Sequence, residues 1–163
     1  MKSVIVYYSY TGNTRKVAEI LAEYLESKAE TTLIALKTLD ESDKFLSQAL
    51  RAFIHTRARL EPTDFNLSNY DLICFGSPVW AFAPAPAINT YIDRCFGINQ
   101  KPVVLFTTYG SGVGNQRCLD YMQSLLIQKG VSSFKRFSIQ QFKTQDKEFI
   151  LSQIRSYNID LKS

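Results

Sequence analysis

The chain is poor in the side chains that bind metals and attack substrates. It has one histidine, His55, in 163 residues. A zinc site or a serine–histidine hydrolase needs more than that. Its three cysteines, Cys74, Cys95 and Cys118, are odd in number and far apart, with no Cys-x-x-Cys spacing. Cys74 falls in an apolar run and the other two in helical patterns, so all three read as small buried apolar residues rather than disulfide partners or ligands. No apolar run approaches the roughly 18 residues of a membrane span. The N-terminus passes straight into a strand pattern, with no basic-then-apolar leader. The expectation is a cytoplasmic protein without a metal. The net charge is +4, yet the basic residues do not run together. They lack the interleaving with aromatics that marks a nucleic-acid platform, and a solvated surface accounts for them. There is no internal repeat, linker or low-complexity tract, so one domain spanning 1–163 is expected.

What the sequence does have is alternation. Val4–Tyr8 is a short run of β-branched and aromatic residues, as a buried strand should be. After Thr14, Val17, Ile20, Leu21, Tyr24 and Leu25 trace one face of a helix. Thr31–Leu36 reads as the second strand. A helix is expected over Ser42–Leu60, with Phe45, Leu46, Ala49, Leu50, Phe53 and Ile54 inward. Lys44, Arg51, His55 and Arg59 face outward, and Glu61-Pro62-Thr63-Asp64 ends the helix. Asp71–Gly76 is the third strand, apolar enough for burial on both faces, and Ser77–Pro86 a proline-restricted loop. A helix follows with Ile88, Tyr91, Ile92, Cys95 and Phe96 inward. Pro102–Phe106 is the fourth strand and leads to a glycine-rich loop. A helix from Asn115 to Gln128 turns Cys118, Met122, Leu125 and Leu126 inward and stops at Gly130. Val131–Ile139 is a fifth strand, at an edge, and Asp146 caps a last helix carrying Phe149, Ile150 and Ile154.

Such alternation predicts an α/β fold of three layers, a doubly wound five-stranded parallel sheet between helices. In these sheets a ligand lies beyond the carboxyl ends of the strands, where the strand order reverses. Three loops, after the first, third and fourth strands, open on that edge.

The first of them is Ser9-Tyr10-Thr11-Gly12-Asn13-Thr14. A loop that leaves a buried strand and opens a helix aims its free backbone N–H groups at one spot, where the helix dipole adds about half a positive charge. Three hydroxyls can donate to the same spot, which makes an anion cradle. The triphosphate loop needs a lysine after its last glycine, and the dinucleotide fingerprint needs three spaced glycines. Neither is present. A single phosphate held by amides and hydroxyls, without an obligatory cation, fits a mononucleotide such as FMN. An ordinary helix N-cap draws on the same residue types.

Two further segments come in order downstream: Gly76-Ser77-Pro78-Val79-Trp80 and Thr108-Tyr109-Gly110-Ser111-Gly112. With these three motifs the chain resembles the flavodoxin family over nearly its whole length. The resemblance implies a flavodoxin-like strand order of 2-1-3-4-5 and non-covalent FMN. Ser9, Tyr10, Thr11, Gly12, Asn13 and Thr14 would then hold the phosphate. Ser77, Pro78, Val79 and Trp80, with Thr108, Tyr109, Gly110 and Gly112, would hold the flavin ring. On the residues alone, Trp80 and Tyr109 suit the faces of a flat ring, although either could equally anchor its loop in the core. Gly110, Gly112 and Gly114 remove side chains that would keep the backbone from a ring. No side chain is an evident general acid or base, so no catalytic residue is assigned.

Electron-carrying flavodoxins are typically strongly acidic, and this chain is not. No carboxylate occurs between Gly76 and Ile92 or between Thr107 and Leu119. A carboxylate beside the flavin would oppose the charge gained on reduction, so its absence predicts a less negative second-electron potential. Two functions follow from the resemblance. One is an electron carrier that meets a protein redox partner, and the basic balance speaks against it. The other is an FMN-dependent reductase passing electrons from NAD(P)H to a small-molecule acceptor such as a quinone. Small size and the lack of a recognisable nicotinamide site speak against that.

Overall fold

Alternate residues of the first strand, β1 (Lys2–Tyr7), go to opposite sides of the sheet, and both sides are apolar. Val4 and Val6 enter one buried cluster and Ile5 and Tyr7 the other. A strand of this kind needs cover on both faces. The computed structural model, which describes residues 1–39, 57–110 and 112–159, supplies it. On the Ile5 side lie α1 (Asn13–Glu26) and α4 (Lys147–Ser156), through Val17, Leu21, Ile150 and Ile154. On the Val4 side lie α2 (Pro86–Arg94) and α3 (Asn115–Ile127), through Ile88, Ile92, Met122 and Leu126.

The remaining strands are β2 (Glu30–Ala35), β3 (Leu72–Trp80), β4 (Ala83–Pro84), β5 (Pro102–Tyr109) and β6 (Ser133–Gln140). They lie in the order β2-β1-β3-β5-β6. All neighbours on that path are parallel, and only the two-residue β4 runs antiparallel, against β3. Without β4 this is the expected 2-1-3-4-5. The order reverses at β1, which pairs with β2 on one side and β3 on the other. β6 is an edge strand, as its weaker apolar pattern predicts. Asp146 caps α4 by accepting from the Phe149 N–H at 2.9 Å. No helix among the described residues is long and apolar enough to cross a membrane.

Three local expectations need correction. The third strand does not end at Gly76. It continues to Trp80, because Ala83–Pro84 turns back and pairs with Val79 and Trp80, and Ser77 and Pro78 pair with Thr107 and Thr108 of β5. Pairing with β3 as far as Thr108, and with Gln140 of β6 at Tyr109, carries β5 past Phe106. At the hairpin tip Ala81 and Phe82 both have positive φ, 47° and 68°. The twist of a two-residue hairpin favours that geometry, though it costs a non-glycine residue about 1–2 kcal/mol. Most of the helix expected over Ser42–Leu60, with His55, lies outside the described residues, but its end does not form. Leu60 bridges Thr38, and the Leu39 N–H donates to the Arg59 carbonyl at 2.8 Å. Finally, Phe96 is 57% exposed rather than inward. α2 stops at Arg94, and the chain beyond it turns to bridge Asn66.

Candidate functional site

α1 begins without a side-chain cap. Its N-cap is Gly12, held at φ 91°, a left-handed conformation that glycine adopts without steric cost. The first-turn N–H groups of α1 are therefore left to whatever lies beyond β1. Around them the loop is organised by its own side chains. The Ser9 hydroxyl accepts from the Gly12 N–H at 3.1 Å, and Asn13 Nδ2 donates to the Thr11 hydroxyl at 3.1 Å. Thr14, almost fully buried, shares a 2.7 Å hydrogen bond with the Thr108 hydroxyl of β5. The first and third motifs are thus joined directly.

The second motif divides into two parts. Ser77 is buried and turned inward. Its hydroxyl donates to the Pro78 carbonyl and accepts from the Ala85 N–H, both at 2.9 Å, which ties the end of β3 to the start of α2. Trp80 is only 5% exposed. The rings of Tyr8 and Tyr10 meet it edge-on, with centroids at 5.6 and 5.8 Å.

A cleft of about 240 Å³ lies at this edge of the sheet. Tyr10, Thr11, Asn13 and Thr14 form one wall. Pro78, Val79 and Trp80 form a second, and Thr108, Tyr109 and Gly110 a third. Ser9 and Gly12 instead line a neighbouring hollow of about 430 Å³ that shares Tyr10 and Thr11 and carries Arg15 and Lys37. Ser77 and Gly112 line neither. Among the described residues, no carboxylate lines either space. Among the described residues, no group of His, Cys, Asp and Glu could hold a metal. The Tyr7 phenol of the neighbouring hollow is pushed up from its ordinary pKa, by burial first and then by the Glu19 charge, so it stays protonated at neutral pH. The cleft is a place to bind, built of donors and rings. A larger hollow of about 850 Å³ runs along the open edge of β6 and shares no residue with the three motifs.

The three glycines after β5 have different surroundings. A side chain at Gly112 would meet nothing, and one at Gly110 would come no nearer than 3.7 Å to Gln141. One at Gly114, where φ is 121°, would strike the Phe82 ring. The room that Gly114 leaves is filled by Phe82, which latches the β3–β4 hairpin onto the glycine loop.

Gln141 also lines the cleft, and sequence reasoning missed it. It opens a short 3₁₀ turn, Gln141–Lys143, directly after β6. That turn is fastened on two sides. Gln140 Nε2 donates to the Gly110 carbonyl at 3.1 Å, and the Thr144 hydroxyl donates to Asn13 Oδ1 at 2.9 Å. No local motif marks it. The only signal was topological, since a fifth parallel strand must end on the same edge as the other four.

A family model described as NADPH-dependent FMN reductase matches residues 1–143. Several solved structures share the fold. A protein of Bacteroides eggerthii is 20% identical with a TM-score of 0.74, covering 98% of this chain and 99% of that one. A flavoprotein from Lactobacillus acidophilus, in complex with FMN, is 24% identical with a TM-score of 0.65, covering 90% and 97%. Oxidised flavodoxin 1 of Bacillus cereus is 17% identical with a TM-score of 0.65, covering 99% and 100%. At these identities the likeness is one of fold. No curated protein matches the sequence.

Proposed function

The chain belongs to the family of NADPH-dependent FMN reductases, and from that premise we propose that the cleft between its three loops seats the coenzyme. It is an FMN-binding, flavodoxin-like redox protein. In our reading the loop Ser9–Thr14 takes the phosphate, with the uncapped N–H groups of α1 and the Thr11 hydroxyl as donors. Pro78, Val79 and Trp80, with Thr108, Tyr109 and Gly110, flank the ring. The residues fit the group. Among the described residues the phosphate end offers donors and no carboxylate, and the ring end offers aromatic sides and backbone polar groups. The observation that carries the proposal is that ten of the motif residues, from strands far apart in sequence, line one cleft.

FMN bound there supplies the redox chemistry, accepting electrons from a donor and passing them on. The protein's part is to bind and orient it and to set the local field. We propose NAD(P)H as the donor and a quinone or similar small molecule as the acceptor, a reading supported by a lining without carboxylates among the described residues. A carrier that meets a protein partner is the second reading. The 38% exposure of Tyr10 and 42% exposure of Phe82 beside the cleft favour it, since they present apolar surface to a docking face. The three buried free thiols suit a reducing compartment, the cytoplasm.

Quenching of FMN fluorescence by the purified protein tests the site. Thr11→Val and Trp80→Ala should each weaken quenching, and unchanged affinity in both would remove these loops from the site. Steady-state oxidation of NADPH with a quinone acceptor separates the two readings: turnover means a reductase, and its absence a carrier.

A further inference from the structure

Positive charge is spread unevenly around the three loops. Among the described residues, the cleft lining has no lysine, arginine or histidine. The neighbouring hollow of about 430 Å³ has two cations from different elements, Arg15 in the first turn of α1 and Lys37 just beyond β2. The backbone holds Lys37 at that rim. The Leu36 N–H donates to the Tyr7 carbonyl at 2.8 Å, and the Lys37 carbonyl accepts from the Glu61 N–H at 2.9 Å. Neither cation is spent elsewhere. Arg15 has a long, exposed ion pair with Glu19, at 3.8 Å, a contact of small worth. The Lys37 ammonium has no ion-pair or hydrogen-bond partner among the described residues. Two like charges facing one space, with no carboxylate in its described lining, suit an anion. A guanidinium beside an ammonium suits a phosphate monoester, which accepts several charged hydrogen bonds at once.

The coenzyme phosphate already has its seat in the amides and hydroxyls of the Ser9–Thr14 loop. That leaves the cations of the hollow for a second phosphate. Tyr10 and Thr11 line both spaces, so one ligand can span them. The proposed electron donor brings such a group. NADPH differs from NADH only by a phosphate on the adenosine 2′-oxygen. Dinucleotide-binding doubly wound folds meet the 2′-hydroxyl with a carboxylate and accommodate a 2′-phosphate with a cation. Here the chain just past β2 offers Lys37. We propose that the hollow takes the 2′-phosphate of NADPH, held by Arg15 and Lys37, and that these two residues set a preference for NADPH over NADH. This rests on the reading above, in which a nicotinamide nucleotide reduces the flavin in the cleft.

Adenosine 2′,5′-bisphosphate and 5′-AMP differ only in the group in question, and calorimetry on the purified full chain with FMN added measures both. The bisphosphate should bind at least tenfold more tightly. Arg15→Gln and Lys37→Gln, both at exposed positions where the fold is safe, should each weaken it about tenfold, the low end for a hydrogen bond to a charged group. Lys37→Arg should keep the affinity, and the difference between the two ligands should shrink at high salt. In steady-state assays with a quinone acceptor, the ratio of kcat/KM for NADPH to that for NADH should fall by the same factor in each glutamine variant, through KM. Equal binding of the two adenosine ligands, or glutamine variants that bind the bisphosphate as the native chain does, would overturn the proposal. So would variants that lower the preference for FMN over riboflavin and leave the bisphosphate unmoved, since the cations would then serve the coenzyme. A native protein that oxidises neither nucleotide yet holds the bisphosphate through Arg15 and Lys37 loses the donor reading and keeps the site. One that oxidises both nucleotides equally well keeps the donor reading and loses the site.

Discussion

Thr14 and Thr108, on α1 and β5, share a 2.7 Å hydrogen bond between buried hydroxyls. It joins the loop assigned to the phosphate to the strand that leads into the ring loop, so the two ends of the cleft are not built independently. Replacing one partner strands the other hydroxyl away from water at a cost of about 1–3 kcal/mol. We expect Thr14→Val and Thr108→Val each to lower the urea midpoint, and the double variant to fall short of their sum by about 1 kcal/mol. Additive losses in the double-mutant cycle would mean the pair carries no coupling.

The cleft and the neighbouring hollow have no carboxylate in their described linings. Adding an electron to bound flavin therefore meets little local repulsion, and the second-electron couple should lie above that of acidic flavodoxins. Gln141→Glu places one negative charge on the wall. It should lower the couple by about 60 mV, the one-electron equivalent of about 1.4 kcal/mol, and less so at high salt. Potentiometric titration of the FMN-loaded proteins reads both, and an unmoved potential would argue against this electrostatic account.

Burial pushes the thiols of Cys74, Cys95 and Cys118 up from the ordinary value of 9.0, with Cys95 at about 11. The sign follows from linkage. Below pH 9 folded and unfolded thiols are both protonated and the contribution is intact. Above it the unfolded thiols ionise first, so stability falls as pH rises toward 11. For Cys95 the loss is on the order of 2 kcal/mol by pH 11. Urea midpoints between pH 8 and 11 should decline, and Cys95→Ala should decline less steeply. In the native protein at pH 8, none of the three should react with a disulfide reagent until urea is added; prompt labelling would contradict their burial.

Asn89 lies in α2, fully buried, and neither its amide oxygen nor its nitrogen has a hydrogen-bond partner among the described residues. An unsatisfied buried amide costs about 1–3 kcal/mol. Asn89→Ala, which removes the amide without adding volume, should therefore leave stability unchanged or raise it by about 1 kcal/mol. A clear fall in the urea midpoint would show that the amide is doing something the native fold needs.

The periodicities that made the layers legible are local. Val17, Ile20, Leu21 and Leu25 on one helix face, and Leu72–Phe75 without polar interruption, each report burial in a single stretch of chain. The loop proposed for the phosphate was conspicuous for the same reason, since Ser9–Thr14 gathers its hydroxyls, amide and glycine in consecutive residues. The failures were of another kind. Ser77 to Trp80 looked like loop, because proline and serine are turn formers, but pairing with β4 and β5 satisfies their backbone. Trp80 does line the cleft, but nothing local showed that Tyr8 and Tyr10 would enclose most of its ring.

By itself the sequence determined the order of elements, the two-sided burial of the sheet and the run of hydroxyls and glycine in the loop after β1. Each of these follows from which residues stand next to or a turn away from one another along the chain. Only the folded molecule decided that Ser77 turns inward, that Phe82 occupies the room beside Gly114, that Gln141 lines the cleft and that Thr144 meets Asn13. These depend on contacts between residues far apart in sequence. A hydroxyl that meets an amide 131 residues away leaves no mark on its own neighbours, because the partner arrives only when the sheet has closed.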